Sequence, residues 1–442
     1  MTSPKIHRLL ALILLNALWA IPALADGRFI VRVNGGLPII QIVCTLLDCR
    51  VAEGIDGSVG DVYLVTTSSG VQPVTFLEQL LAQVGVVGAE LDLVANVTQS
   101  SYAVPPALSD ITPIEYYGTT VPHGYVDQPA TEIINLANTQ AAFQVKGAGT
   151  VAVIDTGIDP NHPALKNNLV PGYDFTRNES GAGDETADVV FPNTPVVGPS
   201  AFWVNGNASA LVSQSTAAVV DGNPQYSDFG HGTMVAGVVH LVAPGAMLMP
   251  LKAFGPAGTG YTSDILRAIY WAVQNNANII NMSFNLATYS QEVANAVNYA
   301  SLAGVICTGA AGNQGEKTLV YPAALKNVIG VASTSNRDQR STFSNYGPNL
   351  VWVAAPGEGI VTTYPFATYA AAWGTSFSTA FVSGEAALML DAGGPLLARL
   401  LFFENQSNSA RALAHAKPIS SDLGNGRLEA YQALAAWLQT FF

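Results

Sequence analysis

From about residue 131 onward, short continuous apolar runs alternate with segments whose apolar residues recur at helical spacing. The runs are 149–154, 247–254, 279–284, 305–308, 328–332 and 350–353. None shows the polar–apolar alternation of a half-exposed strand, so each reads as a strand buried on both faces. The intervening helices are expected at 234–242, 262–276, after Ser290 to Gly304, at 376–390 and at 428–438. Thr262 and Ser290 are the expected caps of two of them, and Ile265, Ile269, Ala272 and Val273 share one helical face. Strands buried on both sides and joined by helices make a doubly wound, mostly parallel sheet with helices on both faces. The expected fold class is therefore α/β, and its sites form beyond the carboxyl ends of the strands.

The 442-residue length suggests two or three domains. The chain is 49% apolar and 11% charged, which excludes a disordered chain and supplies a large core. Its formal net charge of −13 speaks against a nucleic-acid partner, which needs a basic face. Residues 1–25 carry Lys5, His7 and Arg8, an apolar stretch and Ala23-Leu24-Ala25, the pattern of a cleaved signal peptide. The stretch falls short of the ~20 apolar residues that span a bilayer, so an uncleaved anchor is the lesser reading. The chain is then secreted or extracytoplasmic, without stable membrane association after cleavage. Residues 26–104 read as a small α+β domain, with strands at 28–33, 61–67 and 91–97 and a helix at 75–84 capped by Thr75. Residues 105–130 contain five prolines and read as an extended connector. The remainder, 131–442, reads as one domain with a surface insertion at about 179–220, rich in Gly, Ser, Ala, Asn and Pro. Cys44 and Cys49 are close enough in sequence to bridge, Cys307 reads as a buried apolar residue, and no cysteine cluster has zinc spacing.

Three short motifs carry chemistry. Asp155 ends an apolar strand in Val153-Ile154-Asp155-Thr156-Gly157. His231 stands in Gly230-His231-Gly232-Thr233, before an apolar helix, with glycines that let a substrate backbone approach. Ser376 stands in Gly374-Thr375-Ser376 at the start of a long helix, whose N-terminus would stabilise a developing oxyanion. A serine becomes a nucleophile when a neutral histidine takes its proton and a carboxylate fixes the imidazole tautomer. Asp159, Asp221 and Asp228 read as loop carboxylates, and His162 as structural.

The chain order Asp, His, Ser is that of subtilisin. With Ala311-Gly312-Asn313 between the second and third motifs, the chain resembles a subtilisin-like serine protease, over about residues 149–390. The resemblance implies a secreted serine endopeptidase acting on polypeptides through an Asp155–His231–Ser376 triad and an acyl-enzyme. It assigns Asn313 to the oxyanion hole. It assigns Gly258-Thr259-Gly260 and Ser283-Phe284-Asn285 to two strands that clamp an extended peptide, and Ala310, Ala311 and Gly312 to a wall of the first specificity pocket. By its position, 26–104 would be a propeptide, an intramolecular inhibitor removed by self-processing in or just before 105–130; a permanent accessory domain is the other reading. No cofactor is needed for the chemistry. Structural calcium is common in the family, but no local motif identifies metal ligands, which stay unknown. Phe377 and Ala380 replace the usual Met and Pro, and Asn285 the usual Gly, so side-chain preference is not legible. A subtilase fold that binds without catalysis is the alternative function.

Overall fold

The computed structural model describes residues 27–68, 70–96, 105–181, 183–189, 201–203, 210–213, 226–393 and 421–439. The signal-peptide reading of 1–25 and most of the 179–220 insertion lie outside them. The chain forms two compact units, Met1–Asp92 and Leu93–Phe442.

In the first unit, four antiparallel strands run in the order Cys49–Gly54, Val62–Thr67, Arg28–Val33 and Val86–Leu91. The helices Gly36–Leu47 and Pro73–Leu81 complete it. Phe29, Val31, Val65, Ile40, Phe76 and Leu80 form its core. The second helix begins at Pro73 after Gln72, not at Thr75, because proline is preorganised for the first helical position. The first helix is not foreshadowed by the Gly35-Gly36 pair at its start. Cys44 near its end and Cys49 on the next strand are disulfide-bonded.

The second unit is built on eight strands: β1 (Thr150–Asp155), β2 (Tyr173–Asp174), β3 (Glu179–Ser180), β4 (Met247–Lys252), β5 (Ile279–Met282), β6 (Ile306–Ala310), β7 (Ile329–Thr334) and β8 (Val353–Pro356). They lie in the order β3-β2-β4-β1-β5-β6-β7-β8, parallel except for the edge pair β3–β2. Lys252 and Asp155 are in register at the ends of β4 and β1. The helices are α1 (His231–Val242), α2 (Thr262–Gln274), α3 (Gln291–Leu302), α4 (Thr375–Gly393) and α5 (Ala430–Gln439). The Ser290 hydroxyl accepts the Val293 N–H at 3.0 Å and caps α3 as expected. Thr262 is instead the first residue of α2; its hydroxyl donates to the Leu93 carbonyl at 2.8 Å. Residues 375–390 of α4 are buried all round, as a central helix must be.

Two expectations about organisation need correction, and one feature was not expected at all. Residues 105–130 are no extended connector. They form a hairpin, Pro113–Tyr116 with Thr119–Pro122, and short helices, and Tyr116, Val121 and Tyr125 join the main core. The Tyr125 hydroxyl donates to the Gly237 carbonyl at 2.8 Å, which satisfies a phenol that is fully buried. Next, the expected strand at 91–97 is split: Val94–Asn96 belongs to the second unit, where it pairs antiparallel with Thr259–Tyr261. Finally, an unforeseen antiparallel sheet runs in the order Ala201–Trp203, Ala210–Ser213, Thr368–Ala372, Ile360–Tyr364.

Candidate active site

The sheet and two helices bring the motif residues to the carboxyl ends of the strands. Asp155 is the last residue of β1, His231 the first of α1, and Ser376 the second of α4. His231 Nδ1 lies 2.6 Å from Asp155 Oδ1, with the two residues 0% and 1% exposed. A carboxylate only accepts, so Nδ1 carries the proton and donates it to Asp155. Asp155 Oδ1 also accepts the Thr156 N–H at 2.8 Å. His231 Nε2 is buried without a hydrogen-bond partner, so its lone pair is available. Burial by itself would push the imidazole pKa down. The Asp155 charge and hydrogen bond, then the Asp228 and Glu185 charges, more than offset it, and the net shift is upward.

The Ser376 hydroxyl donates to the Ser283 carbonyl at 3.1 Å rather than to His231. The hydroxyl–imidazole bond is thus not formed in this state. Resting sites often tighten such bonds only when substrate arrives. The His231 and Phe377 rings are 5.7 Å apart, which puts the imidazole beside the first turn of α4.

Asn313 is oriented by the residue before the serine. Its amide oxygen accepts the Thr375 N–H and hydroxyl, both at 2.9 Å, and Thr375 Oγ1 accepts the Gly312 N–H at 3.1 Å. The amide nitrogen faces the Gly374 side, 3.1 Å from where a Cβ at 374 would sit. Gly374 has φ +150°, which favours glycine there.

The two glycines around His231 have a packing role that the sequence does not show. A Cβ on Gly230 would lie 2.1 Å from the Tyr364 ring, and one on Gly232 would lie 2.0 Å from the Gly157 carbonyl oxygen. They let α1 pack against the Asp155 loop and Tyr364. The remaining expected groove residues are spread around the site. Gly258, Thr259 and Gly260 precede or form the strand that takes Val94–Asn96. Ser283 and Phe284 follow β5 and are buried, Phe284 with its ring 5.1 Å from that of Phe254, and Asn285 is half-buried. Ala310 ends β6, Ala311 packs with Val320, Ala323 and Leu350, and Gly312 has φ +96°. His162 is a packing residue: Ala164 N–H donates to its Nδ1 at 3.2 Å, and Nε2 lies 3.0 Å from the Thr368 carbonyl.

Two buried charges beside Asp155 escaped the sequence reading. Lys252 Nζ is fully buried and donates to the Thr156 and Phe254 carbonyls at 2.7 and 2.8 Å and to Asp188 at 2.7 Å. Glu185 is fully buried against Thr156 and the start of α1. Both acids belong to the stretch expected to be a surface insertion; residues 183–189 are instead part of the site's support. The only signal in the sequence was an apolar strand, β4, ending in an unexplained lysine. Among the described residues, no group of three or more His, Cys, Asp or Glu could hold a metal ion, so no calcium ligands are assigned. Nor is any described helix long and apolar enough to cross a membrane.

A carboxylate, an imidazole and a helix-start serine brought to one end of a parallel sheet are the parts of a serine hydrolase. The chain's relatives narrow the class. Residues 147–398 match the Subtilase family. Thermitase of Thermoactinomyces vulgaris is 33% identical over 300 residues, 67% of this chain and 92% of that protein. A thermostable alkaline protease of Halalkalibacterium halodurans is 38% identical over 253 residues, 52% of this chain and 67% of that protein. Subtilisin Savinase of Lederbergia lenta is 35% identical over 219 residues, 47% of this chain and 81% of that protein. The chain belongs to the subtilase family. It is a serine-type endopeptidase, and its substrates are polypeptides.

Proposed function

We propose that this is a secreted endopeptidase, made as a precursor that cuts itself, with Asp155, His231 and Ser376 as its triad. The observation that carries the reading is the 2.6 Å Asp155–His231 bond, which leaves a buried, unpartnered Nε2 on the side chain required as base. Ser376 Oγ attacks the scissile carbonyl as Nε2 takes its proton. The imidazolium, held by Asp155, then protonates the leaving amine. The Ser376 N–H and the Asn313 amide hold the oxyanion. Water repeats the sequence on the acyl-enzyme.

The pairing of Val94–Asn96 with Thr259–Tyr261 supports the groove assignment. A segment of this chain already lies along the proposed peptide-binding strand, as β-augmentation by a substrate requires. The same pairing supports inhibition by the chain's own segment and a processing bond just downstream of Asn96, before residue 105. Ala310, Ala311 and Gly312 are the proposed wall of the first pocket, and Ser283-Phe284-Asn285 its other edge. The basic, apolar start of the sequence supports secretion.

Ser376→Ala tests the reading. The expected product is a precursor of full post-signal length that hydrolyses no casein. N-terminal sequencing that finds normal maturation in pure Ser376→Ala protein refutes self-processing.

A further inference from the structure

The helix that carries His231 starts at a residue that cannot cap it. The N-cap is Gly230, which has no side chain to accept the first N–H groups of α1. Those groups are nevertheless all paired. Gly230 N–H donates to Glu185 Oε1 at 2.7 Å, His231 N–H to the Asp228 carbonyl at 3.1 Å, and Gly232 N–H to Thr156 Oγ1 at 2.9 Å. Thr233 N–H donates to Glu185 Oε2 at 3.2 Å, and the Thr233 hydroxyl to the same oxygen at 2.6 Å. The Thr156 hydroxyl in turn donates to Glu185 Oε1.

We propose that Glu185 is a positioning residue that caps the His231 helix from a remote segment and ties it to the loop of Asp155. Three of the first four N–H groups of α1 end on Glu185, directly or through Thr156. One carboxylate therefore sets the distance between the residue that orients the base and the base itself. Every partner donates, which suits an ionised carboxylate, and a negative charge at a helix N-terminus is favoured by the helix dipole. The inference rests on the triad reading above and adds a member behind it.

The charge of Glu185 also reaches the chemistry. It is one of the anions that hold the His231 pKa up. Burial pushes Glu185 itself up to about 7, against its Thr156 and Thr233 hydrogen bonds and the nearby Lys252 ammonium. The other groups around it are Asp155 on β1, Lys252 on β4, Asp188 on its own segment, Asp228 and His231 at the start of α1, and Tyr364.

The test uses Glu185→Gln and Glu185→Asp in the full chain, with kcat, KM and pH profile measured on a peptide anilide. Glu185→Gln keeps the volume but sets an amide N–H₂ against donors. The expected result is a fall in kcat of about tenfold or more with KM little changed. The midpoint of the acid limb of kcat/KM should move to lower pH, because His231 loses a neighbouring anion. Glu185→Asp should restore the acid limb and part of kcat. Unchanged kcat in Glu185→Gln overturns the proposal. So does a lost kcat with an unmoved acid limb and no rescue by Asp, which would mark a structural role alone. If Glu185→Gln does not fold, Thr156→Val against Thr156→Ser tests the same bridge: kcat should fall in the first and hold in the second, and equal kcat overturns the proposal. Ser376→Ala run alongside separates the two readings, since activity close to that of the parent there sinks the triad and leaves the Glu185 outcome a distinct result.

Discussion

Gly232→Ala is the sharpest probe of how α1 is seated. The added carbon would sit 2.0 Å from the Gly157 carbonyl oxygen and 3.0 Å from the Gly157 nitrogen and carbonyl carbon. A carbon rests no closer than ~3.3 Å to a carbonyl oxygen, so about 1.3 Å of separation must be found. The obstacle is backbone and cannot rotate away. The start of α1 must therefore lift off the Asp155-Thr156-Gly157 loop. The Gly232 N–H bond to Thr156, now 2.9 Å, would then stretch out of range, and the 2.6 Å His231–Asp155 bond would lengthen with it. Overpacking of this kind costs ~1–3 kcal/mol in stability. A displacement of about 1 Å at a reacting group costs roughly 10²-fold in rate. The assay is kcat/KM on a peptide anilide together with thermal melting. The control is Gly255→Ala, whose added methyl meets nothing nearer than the Thr259 carbonyl oxygen at 3.8 Å. A folded Gly232→Ala enzyme with kcat/KM close to that of the parent would refute the claim that this contact sets the base.

Three further outcomes follow from the same geometry. The acid limb of kcat/KM should fall above the ordinary histidine value of ~6.5, because His231 must be neutral and its pKa is raised; a flat profile from pH 5 to 8 contradicts this. Asn313→Ala should lower kcat with little change in KM, and loss of the corresponding donor in subtilisin costs ~10²–10³-fold; an unchanged kcat contradicts the assignment. Glu385, buried in α4 with neither oxygen hydrogen-bonded, has its pKa raised well above the ordinary value by burial and then by Glu429. Its stability contribution is full below the unfolded value of ~4.3 and is lost as pH rises toward the folded one, so Glu385→Gln should raise Tm more at pH 8 than at pH 5 in fluorophosphonate-inactivated protein; equal shifts would refute it.

The strands β1 and β4 to β7 and the helices beside them were legible because their signal is local, whereas the run at 350–353 falls three residues ahead of β8 and the two-residue edge strands β2 and β3 carry no such signal. Val151, Ala152, Val153 and Ile154 are buried on both faces, and an uninterrupted apolar run is what such a strand must look like. The three motif residues were legible for a related reason: each sits where an element starts or stops. What was not legible depended on partners distant in sequence. Glu185 lies among glycines and acids with no periodicity, and its role comes from Gly230 and Thr233, 45 and 48 positions away. Tyr116 and Tyr125 stand among prolines that read as a linker, yet their hydroxyls bond the backbone of α1 at Leu241 and Gly237. The prolines there shape a hairpin and short helices instead of keeping the chain apart. The packing role of the glycines flanking His231 is invisible in the sequence, since only the fold sets Tyr364 and Gly157 against them.

The central claim is that His231 activates Ser376. Covalent labelling by a fluorophosphonate, read by peptide mass spectrometry, tests it most directly. A single adduct on Ser376 is expected in the parent enzyme, with its loss in a folded His231→Ala variant. An adduct elsewhere, or one on Ser376 that forms as fast without the imidazole, would contradict it.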